Sequence, residues 1–324
     1  MALVVAMVLA TTAACGLFDK DDPPSAASHA TTTPTTTGST TTTTAAIPAP
    51  KVTDPGAEPR RALRLVLAEG TTASVTVTSD LVVVQHDAGG DQTVDPPPVV
   101  QTIRYTVGKV DAAGAAVSFE VTDAAVATTG TALSPTEITK LTAALAPLKG
   151  LHGEGHLSPQ GHYDHVSFTI PRGIDASVRT QIRALSGSVA ALQPRLPDDA
   201  VGVGGTWTAT DTTSLSGITL GQTTTYVVTA IDGDAVSYRS TTTVTGPAQP
   251  LSAEALGTLP GTAADLVSAD LKGTGSGTLR LDRPASPSET TLAGTQVLDL
   301  SPAKVAKRRL RQDLRVVTRT RDAA

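Results

Sequence analysis

The sequence has a single cysteine, few aromatic residues and no asparagine, and each scarcity limits what the chain can form. Because Cys15 has no second cysteine to pair with, an internal disulfide and a cysteine-based metal site are both excluded. Aromatic residues make up only 2% of the chain, so the core must be built from Val, Leu, Ile, Ala and Thr. Such a composition favours β-strands. The lack of asparagine, together with abundant Ala, Gly and Thr, is typical of a high-GC genome.

Net positive charge is also missing. The formal net charge is −5 and the isoelectric point is about 5.7, so the chain has no basic field that would attract a polyanion. We therefore expect no nucleic-acid partner. About 260 residues follow residue 60, which is enough for one large or two smaller domains with a buried core, and we expect a monomer.

The N-terminus has the features of an export signal. The apolar run from Ala2 to Ala14 is too short to span a bilayer but suits the central region of a signal peptide. The string LATTAAC, residues 9–15, resembles a bacterial lipobox, although Thr12 departs from it and no Lys or Arg precedes the apolar run. The resemblance implies removal of residues 1–14 as a signal peptide and lipidation of Cys15. An ordinary secretory signal in which Cys15 is incidental is the alternative.

Lipidation would fix the location of the protein. Two or three acyl chains, at about 0.8 kcal/mol per buried CH₂, hold a protein stably on a membrane. We therefore expect the protein to be anchored to the cell membrane by its N-terminal lipid and to face the extracytoplasmic side.

Residues 15–60 carry the lipidated cysteine and a Thr/Pro-rich segment that includes TTTPTTTGSTTTTT at residues 31–44. This segment has no apolar face with which to offset its ordering entropy, so we predict a disordered linker. Such stalks are often O-glycosylated, and an unmodified spacer is equally compatible with the composition.

From Leu63 onward, short alternating segments separated by Gly, Pro and Asp predict antiparallel strands. Residues 101–119 and 222–238 resemble one another, each with a Gln, a Tyr and an Asp at a constant offset of 121 positions. Residues 148–170 and 271–300 form a second similar pair, which begins with Leu-Lys-Gly and turns at Ser-Pro. Each of these segments predicts a β-hairpin.

Helices are predicted between the hairpins and at the junction of the two halves. Residues 134–148 begin with Ser134 as N-cap, Pro135 at the first helical position and Glu137 three residues after the cap. Residues 251–259 form the second such segment, and residues 175–192 have an amphipathic pattern.

The order hairpin, helix, hairpin thus occurs twice. We predict a β-rich α+β fold with an internally duplicated antiparallel unit, repeat 1 at residues 61–195 and repeat 2 at 196–324. The two units would form one curved sheet or a sandwich. The alternating residues 314–321 predict a final strand whose arginines protect an exposed edge.

The string LPDDAVGVGGTW, residues 196–207, resembles the LPxxxVxVGxxW signature of an uncharacterised family of exported, lipid-anchored, β-rich actinobacterial proteins. The resemblance extends over most of residues 61–320. It implies a β-rich exported domain and brings no known activity.

Histidines and carboxylates are concentrated in one segment. Four of the six histidines fall within 14 positions, accompanied by two acids: His152, Glu154, His156, His162, Asp164 and His165. On paired strands the first three residues would share one face, His162 and Asp164 would share a face across the turn, and His165 would point away. Imidazoles and a carboxylate can hold Zn²⁺. Two alternative interpretations fit the same residues: a polar strand surface that faces solvent, or a pH-responsive histidine cluster.

Other chemical signatures are weak. The sequence contains no Gly-x-Ser-x-Gly elbow and no Walker loop, and the GxGxG string at residues 273–277 lacks the strand-to-helix setting of a dinucleotide loop. Trp207 suits packing better than ligand contact, and the basic residues 306–315 suit a solvated edge better than a lipid headgroup site. We therefore expect no catalytic residues and no cofactor.

The leading hypothesis is a non-enzymatic, lipid-anchored envelope protein with a binding or structural role toward a lipid or an envelope protein. A lipid or glycolipid carrier with an apolar cavity is one alternative. A metal-binding protein or metal-dependent hydrolase that uses the histidine cluster is the other.

Overall fold

The computed structural model describes residues 48–87, 90–128, 133–169, 193–215, 218–251, 262–302 and 307–323. Alternating residues in these ranges form strands because every second side chain can be buried on one face. In chain order the elements are β1 (Lys51–Asp54), β2 (Thr72–Asp87), β3 (Gly90–Val94), β4 (Val99–Asp111), β5 (Gly114–Val126), α1 (Pro135–Leu145), a 3-10 helix (Ala146–Leu148), β6 (His152–Leu157), β7 (Tyr163–Thr169), β8 (Thr206–Leu215), β9 (Ile218–Asp232), β10 (Ala235–Gly246), β11 (Gln249–Pro250), β12 (Thr262–Arg280), β13 (Ser288–Pro302) and β14 (Arg308–Asp322).

The strands of the described ranges form one large, open, antiparallel sheet, which confirms the β-rich prediction. Its order is β1-β8-β9-β10-β12-β13-β14-β2-β4-β5-β6-β7, with β11 beside β12 and β3 beside β2. Strands from residues 61–195 and 196–324 share this sheet, because β14 pairs with β2 through contacts such as Leu314 with Val83.

The last strand, β14, lies in the interior of the sheet. The prediction of an exposed edge at residues 314–321 is therefore wrong, since β13 pairs with one side of β14 and β2 with the other. Leu310, Leu314 and Val316 are buried along β14. An edge strand and a central strand of an antiparallel sheet with one solvated face share the same alternation, so the sequence pattern did not distinguish them.

Strand β1 lies inside the segment predicted as linker. Residues 51–54 pair with β8, where Val52 lies opposite Trp207 and packs against a buried cluster. Arg195 also donates a hydrogen bond from Nη2 to the carbonyl oxygen of Pro48 at 2.6 Å. Residues 51–54 therefore belong to the sheet and not to the linker predicted for residues 15–60, because Val52 packs against the buried cluster.

The helix predicted at residues 134–148 is confirmed. The Ser134 hydroxyl accepts a hydrogen bond from the backbone N–H of Glu137 at 3.3 Å, and the Glu137 carboxylate accepts one from the Ser134 N–H at 2.8 Å. This capping box satisfies two N–H groups that the helix cannot pair internally. The other predicted helices, at residues 175–192 and 251–259, lie outside the described residues except for Leu251.

The predicted hairpins at 101–119 and 222–238 are both present. Strands β4 and β5 join at a turn that pairs Asp111 with Gly114, and β9 and β10 join at a turn that pairs Asp232 with Ala235. The two Ser-Pro segments also lie in connections, between β6 and β7 and between β12 and β13.

The described core divides into two clusters. The aromatic cluster contains Trp207 and Tyr226 from one end of the sheet and Phe119 and Tyr163 from the other, so the sheet must curl to bring its ends together. The aliphatic cluster contains no aromatic residue; its buried members are Val83, Ile218, Leu220, Val244, Leu251, Ala264, Leu266, Ala269, Leu271, Leu292, Leu298, Leu300, Leu310 and Leu314.

Candidate functional site

The predicted histidine cluster lies on β6, β7 and their connection. His152, Glu154 and His156 alternate with buried or half-buried neighbours, so they share one face of β6 as predicted. His156 lies directly opposite Asp164 on β7. On this face His152 and Glu154 are exposed and His156 is half-buried.

Only one close pair forms within this cluster among the described side chains. The Nε2 atom of His162 lies 3.1 Å from Oδ1 of Asp164, as the shared face predicted. In the part of the chain that the structure describes, no group of three or more His, Cys, Asp or Glu side chains converges to hold a metal ion. The contact is a solvent-accessible hydrogen-bonding pair, because His162 and Asp164 have side-chain exposures of 29% and 47%.

The GxGxG string forms the middle of β12 and has a packing role. A Cβ atom on Gly273 would lie 2.4 Å from the carbonyl oxygen of Thr291, and one on Gly275 would lie 2.8 Å from the Ser240 hydroxyl. Glycine is needed here because neighbouring groups approach the strand too closely for a side chain. A strand interior is not the strand-to-helix turn that cradles a dinucleotide.

The LPDDAVGVGGTW motif also serves packing. Leu196, Val201 and Trp207 are buried, and a Cβ atom on Gly202 would overlap the carbonyl oxygen of Ala57. The Trp207 indole stacks on Tyr226 with ring centroids 5.1 Å apart, and its Nε1 donates a hydrogen bond to the carbonyl oxygen of Arg195 at 2.8 Å. The prediction that Trp207 packs is therefore confirmed.

The basic segment is neutralised locally where the structure describes it. Arg309 forms two hydrogen bonds with the carboxylate of Asp299, at 2.8 and 3.1 Å, and Lys307 lies 3.4 Å from the same group. Arg311 is likewise paired with Asp313. These ion pairs reduce the charge available to an anionic lipid surface.

A row of three buried glutamines crosses the inner face of the sheet beside the aliphatic cluster. Gln85, Gln312 and Gln296 lie opposite one another on β2, β14 and β13, and each is at most 5% exposed. The Gln296 amide donates a hydrogen bond to the Gln312 side-chain oxygen. Burying an amide costs free energy unless the amide is hydrogen-bonded. The three glutamines therefore form a hydrogen-bonding polar row beside the aliphatic cluster.

A second polar constellation was not anticipated from the sequence. The two ring nitrogens of His86 each contact a carboxylate: Nδ1 is 2.7 Å from Oδ1 of Asp91, and Nε2 is 3.0 Å from Oδ2 of Asp313. These hydrogen bonds, that to Asp91 foremost, raise the pKa of His86. His86 and Asp313 are 227 positions apart, so only strand pairing reveals the constellation.

Asp313 is held in its ionised form by its neighbours. Partial burial raises its pKa, but hydrogen bonds from Thr295, His86 and Arg311 outweigh burial and lower the pKa overall. Because a protonated His86 attracts both carboxylates, the constellation links β3 and β14 to β2.

No helix among the described residues has the length and apolar character needed to cross a membrane. The chain matches no protein-family model and no curated protein.

Proposed function

We propose that this protein is an exported, lipid-anchored, non-enzymatic binding protein of the cell envelope. The observation that carries the proposal is the position of the only cysteine, which directly follows a short apolar run and two small residues, Ala13 and Ala14.

Intact mass spectrometry tests the anchor. The full chain is produced in a high-GC Gram-positive host, extracted from membranes in mild detergent, and compared with Cys15→Ala. We expect a wild-type mass that matches cleavage before Cys15 plus acyl chains, and loss of both features in the variant. Gly16→Ser serves as the control, since it changes the neighbouring residue and leaves the cysteine in place. A soluble, unacylated product from both wild type and Cys15→Ala would overturn the anchor.

A carrier of an acyl-chain ligand is the second candidate function. The composition of the aliphatic cluster supports it, because side chains of Leu, Val, Ile and Ala can pack against a flexible hydrocarbon chain. The adjacent amides of Gln85, Gln296 and Gln312 provide the few polar groups that orient an amphiphilic ligand in an apolar site.

A fluorescent fatty acid, 11-(dansylamino)undecanoic acid, tests this second candidate on the full chain. Ala269→Leu enlarges a buried side chain of the aliphatic cluster, and Ala285→Leu makes the same change in the aromatic cluster. We expect Ala269→Leu to weaken probe binding about tenfold and Ala285→Leu to leave it unchanged, with circular dichroism confirming that both fold. Absence of saturable emission enhancement with the wild type would contradict the carrier role.

We also infer that residues 61–195 and 196–324 derive from one duplicated unit and belong with the family that shares the LPxxxVxVGxxW signature. Similar hairpins at a constant sequence offset support the duplication: Tyr105 and Tyr226, 121 positions apart, are both buried on the first strand of their hairpin. Relatives that carry only one of the two units would test this origin.

A further inference from the structure

A pocket of about 540 Å³ opens near the start of β13, among β9, β10, β12 and β14. It is lined by hydroxyl-bearing residues, three arginines and one glutamate: Thr229, Ser237, Tyr238, Arg239, Ser276, Gly277, Thr278, Pro287, Ser288, Glu289, Arg319, Thr320 and Arg321. The pocket is a shallow depression on the surface of the sheet, so a ligand bound in it would remain partly exposed to solvent.

The charges at this pocket oppose those of the chain as a whole. Three arginines face one carboxylate, whereas the protein carries a net charge of −5. Glu289 lies 3.2 Å from Arg319 and neutralises that arginine. Arg239 and Arg321 are exposed and form no ion pair with any residue that the structure describes. Two guanidinium groups are therefore available to an anion.

Strand register explains why distant arginines share one pocket. Arg239, Ser276, Glu289 and Arg319 lie opposite one another on β10, β12, β13 and β14. Arg321 follows Arg319 by two residues and therefore projects from the same face of β14. β10 and β14 are three strand spacings apart, roughly 14 Å, so Arg239 borders the pocket on one side and Arg319 and Arg321 border it on the other.

Hydroxyl groups supply the remaining polar surface. The Ser237 and Thr278 hydroxyl oxygens lie 3.3 Å apart and can hydrogen-bond to one another. Thr320 lies between Arg319 and Arg321, so its side chain projects from the opposite, buried face of β14 and does not contribute a hydroxyl to the arginine-bearing face.

We propose that this pocket binds a phosphorylated polyol. The planar, multiply donating guanidinium groups of Arg239 and Arg321 suit the oxygens of a phosphate monoester, which they can bind in a bidentate manner. The Ser and Thr hydroxyls pair with the hydroxyls of the polyol, because each can donate and accept a hydrogen bond. The site is separate from the aliphatic cluster and does not depend on the proposed carrier role.

Isothermal titration calorimetry on the full chain in mild detergent tests the proposal. The probes are glucose 6-phosphate, which represents a sugar phosphate, and glycerol 3-phosphate, which represents a phospholipid headgroup; glucose and inorganic phosphate are the partial ligands. We expect saturable binding of at least one phosphorylated polyol and at least tenfold weaker binding of both partial ligands. The tighter of the two probes identifies the source of the phosphate.

Three variants locate the site. We expect Arg321→Gln and Arg239→Gln each to weaken binding of the preferred probe about tenfold or more. Arg315→Gln is the matched control, because Arg315 is also exposed on β14 but does not line the pocket. Unchanged melting temperatures establish that each variant folds. No saturable binding to the wild type, or an equal loss in Arg315→Gln, would overturn the proposal.

Discussion

His86 and Asp313 occupy adjacent strands although 227 positions separate them, with Nε2 of the imidazole 3.0 Å from Oδ2 of the carboxylate. Asp91 contacts the other ring nitrogen at 2.7 Å. This contact joins β2, β3 and β14, so a single titratable ring connects residues that the sequence separates widely. We therefore expect the stability of the sheet to depend on pH.

The first prediction concerns that dependence. The pKa of His86 is raised above 6.5 in the folded protein, so its stabilising effect is complete below about pH 6.5 and is lost as the pH rises through the folded pKa. We expect His86→Gln to lower the free energy of unfolding more at pH 6 than at pH 9. Urea denaturation of both proteins at the two pH values measures the difference. His152→Gln, at an exposed position of β6, is the control, and an equal loss at both pH values would contradict the role.

The second prediction concerns Trp207, which is 1% exposed. Trp207→Ala should destabilise the protein by about 3–5 kcal/mol, because it leaves a cavity against Tyr226. Trp207→Phe keeps an aromatic ring but removes the N–H that donates to the Arg195 carbonyl oxygen. We expect a smaller loss of unfolding free energy, of which about 1–3 kcal/mol comes from the carbonyl oxygen that is left without its donor. Urea denaturation followed by circular dichroism measures both. Losses of the same size would show that the retained phenyl ring contributes little and would contradict the stacking explanation.

The third prediction separates two glycines that both lie within strands. Gly273→Ala should destabilise the protein by about 1–3 kcal/mol, because the new methyl group would lie 2.4 Å from the Thr291 carbonyl oxygen. Gly221→Ala meets only ordinary contacts with Thr245, 3.6 Å or more away, and should be neutral or stabilise by up to about 1 kcal/mol. Thermal denaturation compares the two. A tolerated alanine at Gly273 would remove the packing explanation of the GxGxG string.

The fourth prediction concerns the glutamine row. Gln312→Leu removes the acceptor of the Gln296 amide and should cost about 1–3 kcal/mol, since a buried donor then loses its partner. Adding Gln296→Leu should recover part of that loss, because the unsatisfied amide is also removed. A double-mutant cycle by urea denaturation measures this coupling. Additive losses would indicate that the two side chains do not stabilise one another.

Local chemistry in the sequence predicted the local structure well. The Ser134, Pro135 and Glu137 cap predicted the start of α1, and the turns near Asp111 and Asp232 predicted two hairpins. These features depend on residues within a few positions of one another. Alternation likewise predicted that the polar residues of β6 share one face.

Features that depend on partners far along the chain were not predictable in this way. The alternation of β14 is the same at an edge as in the interior, and Val52 gave no local sign that its segment pairs with β8. The His86 constellation and the arginine-lined pocket both arise from register between strands. The histidines of residues 152–165 are close together in the sequence and were therefore predicted as a candidate site, whereas His86 has no other histidine near it and was not predicted.

The sequence by itself determined a β-rich chain with a capped helix and two similar hairpins, because periodicity, capping and turn chemistry act over short distances. Only the tertiary structure decided that both halves share one curled sheet. It also decided that Gln85, Gln312 and Gln296 meet, and that Arg239 joins Arg321 at one pocket. Strand order and register determine which residues become neighbours. Both depend on burying the apolar side chains of all strands together, which no local segment of the sequence specifies.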